Sequence, residues 1–226
     1  MVGIPQSATE PPGETGSASE RAYSDVKERI LSGELAGGEL ISEGEVAELL
    51  AMSRTPVREA FLRLQAEGWM KLYPKRGAAI IPVKPEEADE VLQARVLIET
   101  HAVSVITDEP SRVGPLVAEL KMIIERQRAA VDHDLTGFID ADADLHTAIV
   151  RAAGNGLLID FYTGLRDRQR RMAGDSVRRG AADHDGPDKQ QLILDQHHRL
   201  VELIAAGDAD EFGVELRSHL NDIHRR

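Results

Sequence analysis

The run Ser53-Arg54-Thr55-Pro56-Val57-Arg58-Glu59-Ala60 and the run Trp69-Met70-Lys71-Leu72-Tyr73-Pro74-Lys75-Arg76-Gly77-Ala78-Ala79-Ile80-Ile81 decide the fold. Ser53 or Thr55 can cap a helix, and Pro56 suits a first turn, where no amide donor is needed. Val57, Ala60, Phe61 and Leu64 then recur at helical spacing until Gly68. The two apolar segments flanking Pro74-Lys75-Arg76-Gly77 read as short strands joined by a basic hairpin loop. Working towards the N-terminus, Ser42 with Glu45 three residues on predicts a capping box and a helix over about 43–51. Residues 34–39 read as a turn, and Ala22, Val26, Ile30 and Leu31 mark a first helix over about 18–32. Residues 18–82 therefore form a winged helix-turn-helix. Residues 1–17, rich in Pro, Gly, Ser and Thr without an apolar period, are expected to be a disordered tail.

Charge supports that reading once it is divided along the chain. The whole protein carries a net charge of −12, which argues against a polyanionic partner. Residues 1–84, however, hold 10 basic and 12 acidic residues, so most of the excess lies beyond them. Between Ser53 and Gly77 stand six basic residues and two acidic ones, a local basic patch on an acidic protein. Arg54 and Arg58, four apart, share a helix face, and each guanidinium fork fits guanine O6/N7 or a phosphate. Thr55 can reach a phosphate or a base edge, Arg76 stands at the wing tip, and Gly77 lets the wing approach a backbone closely. A solvated helix face would explain one arginine pair; it does not explain the combination.

Residues 83–85 read as a linker, and residues 86–226 show no strand pattern. Helical periods cover about 86–107, 112–132, 135–153, 157–180, 188–206 and 208–225, with fraying expected between Gly180 and Gly186. The fold is thus mainly α: the winged domain plus an antiparallel all-α bundle. No run is long and apolar enough to span a bilayer, and no signal peptide is visible, so a cytoplasmic location is expected. Cysteine is absent, which excludes disulfides and thiolate metal sites. Any metal must then bind through His, Asp or Glu. Asp142 and His146, four apart, can converge on one ion, while His198 and His219 lie in the last two helical segments. Each histidine alone reads equally as a packing or surface residue.

The residues Ser53 to Ala60, Leu62-x-Leu64-x-Ala66-Glu67-Gly68 and Pro74-x-Arg76-Gly77 closely resemble the DNA-binding half of the GntR superfamily. Residues 86–224 resemble the all-helical FCD effector domain of its FadR-like branch. The resemblance implies DNA contacts at Arg54, Thr55, Arg58, Arg76 and Gly77, with Glu59 holding its neighbouring arginines. Many relatives have a basic residue where this chain has Gly44, so a contact made there by relatives is in doubt. The resemblance also implies a divalent metal, Zn²⁺ foremost with Mn²⁺, Ni²⁺ or Fe²⁺ as alternatives. Its ligands would be Asp142, His146, His198 (before Arg199) and His219 (before Leu220). His197 is then expected to point about 100° away from His198, and His101, His133, His184 and His224 match no ligand position.

Arg95 and Glu99 match an Arg-x-x-x-Glu feature of such domains. They read either as a structural helix pair or as a fork for the carboxylate of a small organic acid, with Arg166 and Arg170 as further pocket candidates. The whole implies a ligand-responsive regulator, usually a repressor and not an enzyme, acting as a homodimer on a palindromic operator in double-stranded DNA. Two rivals stand beside it. One is the same regulator with a metal-free acyl pocket. The other is a metal-dependent hydrolase, which lacks any recognised catalytic signature.

Overall fold

A computed structural model of the chain describes residues 16–84, 86–178 and 187–224. Most of the expected disordered tail and the expected frayed segment lie outside these residues. Ser17 stands at the start of the first helix, where its hydroxyl accepts the Glu20 amide at 3.2 Å. The chain divides into two compact units, residues 1–30 with 37–81, and residues 31–36 with 82–226.

In the first unit the order is α1 (Ala18–Leu31), β1 (Leu40–Ile41), α2 (Glu43–Leu49), α3 (Arg54–Ala66), β2 (Met70–Tyr73) and β3 (Gly77–Ile80). The capping box forms: the Glu45 amide donates to Ser42 Oγ at 3.1 Å, and the Ser42 amide donates to the Glu45 carboxylate at 2.8 Å. Ser53 is the N-cap of α3 but makes no side-chain cap bond. Val57, Ala60, Phe61 and Leu64 of α3 are buried, as are Ala22, Val26 and Ile30 of α1 and the strand residues Met70, Ala78 and Ile80, and α3 packs on α2 and β2. At one edge of this core Tyr23 Oη and Trp69 Nε1 both donate to the Glu67 carboxylate, at 2.8 and 3.0 Å. That carboxylate ties α1 to the α3–β2 turn.

The sheet is antiparallel in the order β1-β3-β2, with Tyr73 opposite Gly77 and Ile41 opposite Ala78. The two-residue β1 has no sequence period of its own and falls between the turn over 34–39 and the helix from 43, where no element is expected. It explains Gly77. That residue has φ +96°, and a Cβ there would stand 2.3 Å from the Ile41 carbonyl oxygen. The close approach that requires glycine is therefore to β1 of its own sheet.

The second unit is all-helical: α4 (Glu87–Thr107), α5 (Pro110–Ala130), α6 (Leu135–Ala152), α7 (Gly156–Arg178), α8 (Pro187–Ala206) and α9 (Ala209–His224). α4 packs against α5, α6, α7 and α9, and α5 and α8 complete the bundle. Leu120 and Ile124 of α5, Leu145 and Ile149 of α6, Leu194 and Ile204 of α8, and Phe212 and Leu216 of α9 fill its interior. No helix among the described residues is long and apolar enough to cross a membrane.

Gly77→Ala is expected to destabilise the first unit by about 2 kcal/mol or more, combining left-handed strain with a backbone clash. A thermal melt with far-ultraviolet detection reads this as an earlier transition. A wild-type melt would contradict the assigned packing.

Candidate nucleic-acid interface and metal centre

Arg54, Thr55 and Arg58 are exposed on the first turns of α3, and Arg76 is exposed in the β2–β3 loop. No ion pair engages Arg54, Arg58 or Arg76 among the described residues. Since Ser53 caps nothing, the first-turn amides and the positive end of α3 also face outward. Gly44 has a visible consequence. A Cβ there would lie 3.3 Å from Arg54 Nη2, so the Arg54 guanidinium rests over the start of α2 where a side chain would otherwise project. Arg63 is engaged inside the fold: it lies 3.6 Å above the Tyr23 ring and pairs with Glu20 and Glu67. Glu59, expected to brace its neighbours, makes no ion pair among the described residues.

In the second unit, Asp142 and His146 of α6, His197 of α8 and His219 of α9 each offer one ligand atom, all within 4.8 Å of one another. All four residues are buried. The periodicity of each helix puts them there. On α8, Ile193, Leu194, Leu200, Val201 and Ile204 are buried, and His197 lies three or four residues from four of them. His198 faces the rim instead, where its Nε2 lies 2.6 Å from Arg128 Nη2. The expectation that His198 ligates and His197 points away is therefore corrected. The apolar face of α8 turns His197 inward, and adjacent helical residues cannot both share it. The burial pattern of α8 was readable in the sequence and would have identified His197.

The three imidazoles are oriented from behind. His146 Nδ1 lies 2.6 Å from Glu99 Oε2, His197 Nδ1 lies 2.7 Å from Gln127 Oε1, and His219 Nδ1 lies 2.9 Å from Gln196 Oε1. Each acceptor is itself fixed. The Gln127 amide donates to the Phe138 carbonyl at 3.4 Å and the Gln196 amide to Asp222 at 2.8 Å, so both must turn oxygen towards histidine. Glu99 takes Arg95 Nε at 2.9 Å and Tyr162 Oη at 2.6 Å on its other oxygen. All three Nδ1 atoms therefore carry hydrogen, and all three Nε2 atoms present lone pairs. His219 Nε2 lies 3.3 Å from both His146 Nε2 and His197 Nε2, and Asp142 Oδ1 lies 3.3 Å from His197 Nε2.

Four acceptors facing one point repel one another unless a cation sits among them. The spacing is close to the ~3.4 Å that tetrahedral metal–nitrogen bonds of ~2.1 Å produce. The donor set fits a borderline divalent ion.

Burial works against protonation of two of the imidazoles. Burial pushes His197 below its ordinary value despite the Asp142 carboxylate. Burial, with His197 and His146 nearby, pushes His219 well below its own. Burial would raise Glu99, but His146 and Arg95 outweigh it and hold its carboxyl at about 2.

Arg95 is fully buried. Both meanings considered for the Arg95–Glu99 motif meet in one side chain. The helix pair forms, Nη1 donates to Gln169 at 2.8 Å, and Nη2 is buried with no hydrogen-bond partner. Arg166 pairs with Asp144 at 3.0 Å while its Nε is buried with no hydrogen-bond partner, and Arg170 lies 4.0 Å from Asp140. Gln127, Gln196, Gln169 and Tyr162 carry no motif that sequence reading could single out. His184 lies outside the described residues.

Residues 18–80 match the family of bacterial regulatory proteins called the gntR family, and residues 90–222 match the FCD domain. The chain belongs to the GntR family. It is a transcription regulator of the FadR-like branch, with a GntR DNA-binding domain and an FCD effector domain. The gluconate operon transcriptional repressor of Bacillus licheniformis is 26% identical over 208 residues, spanning 92% of this chain and 84% of that protein. The repressor RspR of Escherichia coli K12 is 26% identical over 214 residues, covering 92% and 88%. McbR/YncC of E. coli shares the fold, with a TM-score of 0.73 at 22% identity over 92% of this chain and 95% of that one.

His197→Ala is expected to abolish the binding of one equivalent of Zn²⁺, while His198→Ala retains it, as read by metal analysis after dialysis. The metal-free wild type should also lose stability on acidification. His197 and His219 resist protonation when folded, so the unfolded chain takes up protons first as pH falls through the ordinary value of 6.5. Equal metal content in the two variants would contradict the assignment.

Proposed function

We propose that this GntR regulator is a repressor that binds a palindromic operator as a homodimer and releases it in response to a small organic acid. A divalent metal, Zn²⁺ foremost, would be held by Asp142, His146, His197 and His219. The observation that carries this reading is the convergence of three imidazole Nε2 atoms beside a buried guanidinium with an unsatisfied donor. When bound, the metal supplies a Lewis-acidic position for a carboxylate or hydroxyl oxygen. The chain's own residues supply the rest. Glu99 holds both His146 and Arg95, and Gln169 fixes Arg95 Nη1. Arg95 Nη2 is then the donor left for an anionic oxygen. A buried cation that is already desolvated and oriented binds a carboxylate better than an exposed one. One relative is named for the gluconate operon, and gluconate is a hydroxy acid of the class this site suits.

In the DNA-binding domain, Arg54, Thr55 and Arg58 would meet the major groove, and Arg76 would meet the backbone or minor groove beside it. Gly77 shapes the wing that presents Arg76. With Gly44 in place of a basic residue, the start of α2 contributes no side-chain contact of its own, and Arg54 occupies that space.

Two measurements bear on this. Arg58→Ala is expected to weaken operator binding by about 1–3 kcal/mol, the scale of one bidentate base contact. Binding to a scrambled duplex should change less, and equal losses on both would reduce Arg58 to a phosphate contact. Arg95→Lys should keep the metal and operator binding but lose the response of operator binding to a panel of hydroxy and sugar acids, because an ammonium cannot reproduce the fork. A response equal to wild type would remove Arg95 from the effector site.

A further inference from the structure

Two glycines of the DNA-binding domain stand close to other groups, for opposite reasons. Gly77 has the positive φ that its turn demands. Gly44 has none: it lies in the first turn of α2, in helical backbone that any residue adopts. Inside a helix glycine is the least favourable residue after proline, because it gives up the most backbone freedom. Local preference therefore argues against glycine at 44, and its reason lies in what stands opposite. What stands opposite is one side chain. The three heavy atoms nearest to where a Cβ would be are Arg54 Nη2 at 3.3 Å, Cζ at 3.7 Å and Nε at 3.8 Å. The guanidinium thus lies on the first turn of α2, in a slot that is open because residue 44 has no side chain. A Cβ at 3.3 Å is tighter than ordinary van der Waals contact, and a longer side chain would fill the slot.

Shape alone holds this guanidinium. Glu43 and Glu45 flank Gly44 in the chain, yet Arg54 forms no ion pair among the described residues. Glu45 is committed to the capping box, where its carboxylate takes the Ser42 amide at 2.8 Å. Arg54 is therefore placed without being neutralised, and the residue is exposed. Arg63 is the contrast, since its placement by Glu20, Glu67 and the Tyr23 ring engages its charge.

We infer that Gly44 is a specificity-determining residue of the DNA-binding domain. By leaving the slot open it decides where Arg54 presents its fork, and so which base pair Arg54 reads. The inference rests on the operator contact proposed for Arg54 above. A surface arginine samples many rotamers, and a bidentate contact to guanine O6/N7 freezes all but one. A slot that selects the rotamer beforehand removes much of that cost and fixes the direction of the fork. The choice of base then depends on residue 44, which has no side chain to touch one.

Stability and sequence reading are thereby set against each other at one position. A helix-forming residue at 44 should leave the fold as stable as before or more so, and should blunt the reading of sequence. A glycine kept only for folding would show the reverse: a lower melt with discrimination intact.

The test uses the full chain and a duplex that the wild type selects from a randomised library. Binding is measured on that duplex, on its single-base-pair variants and on a scrambled duplex, with a thermal melt of each protein. Gly44→Ala and Gly44→Leu form a graded pair without change of charge, and both should melt no earlier than the wild type. On the selected duplex Gly44→Leu should bind about tenfold more weakly, the scale of one bidentate base contact, and Gly44→Ala about twofold to threefold more weakly. Binding to the scrambled duplex should stay at the wild-type level, because no cation has been removed. The lost discrimination should fall on one base pair of each half-site, the same one that Arg54→Ala releases. Arg54→Ala with and without Gly44→Leu should then bind alike, since the slot has nothing left to hold. If leucine lowers the melt, the alanine chain carries the test at its smaller magnitude. Substituted chains that discriminate as the wild type does, while Arg54→Ala does not, overturn this inference alone. So does an additive loss in the doubly substituted chain. An Arg54→Ala chain that binds like the wild type removes Arg54 from the interface, and its proposed operator contact falls together with the inference.

Discussion

Everything in the effector domain turns on three hydrogen bonds that face away from the site. Oxygens of Glu99, Gln127 and Gln196 take the Nδ1 hydrogens of His146, His197 and His219. That constraint leaves three Nε2 lone pairs on one point, between α6, α8 and α9. An imidazole left to itself exchanges tautomers and rotates about its side-chain bonds; an imidazole held by a fixed oxygen acceptor does neither. The arrangement is costly without a cation, since buried acceptors 3.3 Å apart have nothing to accept. The same Glu99 carboxylate that fixes His146 also fixes Arg95. The proposed cation site and the proposed anion donor thus share one brace.

The DNA-binding domain follows a different economy. Its core and its Glu67 hub hold α3 and the wing by packing and by a carboxylate shared among Tyr23, Trp69 and Lys27. Among the described residues Arg54, Arg58 and Arg76 form no ion pair, which keeps them available for a polyanion, and most of the acidic excess lies in the other domain. Gly77 shows how a functional-looking glycine can be a folding requirement. The wing needs it because the Ile41 carbonyl sits where a Cβ would be.

Much of this was legible in the sequence. The apolar periods of α1 to α9 and the Ser42–Glu45 box are local, and they fixed the element order closely. Strand β1 was not legible, because two residues carry no period and its pairing with β3 is a long-range fact. The candidate metal centre was legible in part. Asp142, His146 and His219 come from motif and resemblance, but the choice between His197 and His198 was made by which histidine precedes Arg199. The burial period through Ile193, Leu194, Leu200 and Val201 gives His197, and it was the stronger physical signal. Gln127, Gln196 and Tyr162 could not have been found that way, since an acceptor behind a histidine is recruited by tertiary packing and leaves no spacing in the chain. Arg166 and Arg170 show a related limit: a basic helix face in the sequence does not say which of its members pair with Asp144 and Asp140 of the preceding helix.

Long-range ¹H–¹⁵N correlation of the histidine side chains in the metal-free protein at pH 7.5 tests the tautomers directly. His146, His197 and His219 should each appear as the Nδ1–H form with an unprotonated Nε2, and their Nε2 signals should move on addition of one equivalent of Zn²⁺ while those of His198 stay in place. An Nε2–H tautomer on any two of the three, or zinc-induced shifts at His198 in place of His197, would contradict a centre built by Glu99, Gln127 and Gln196.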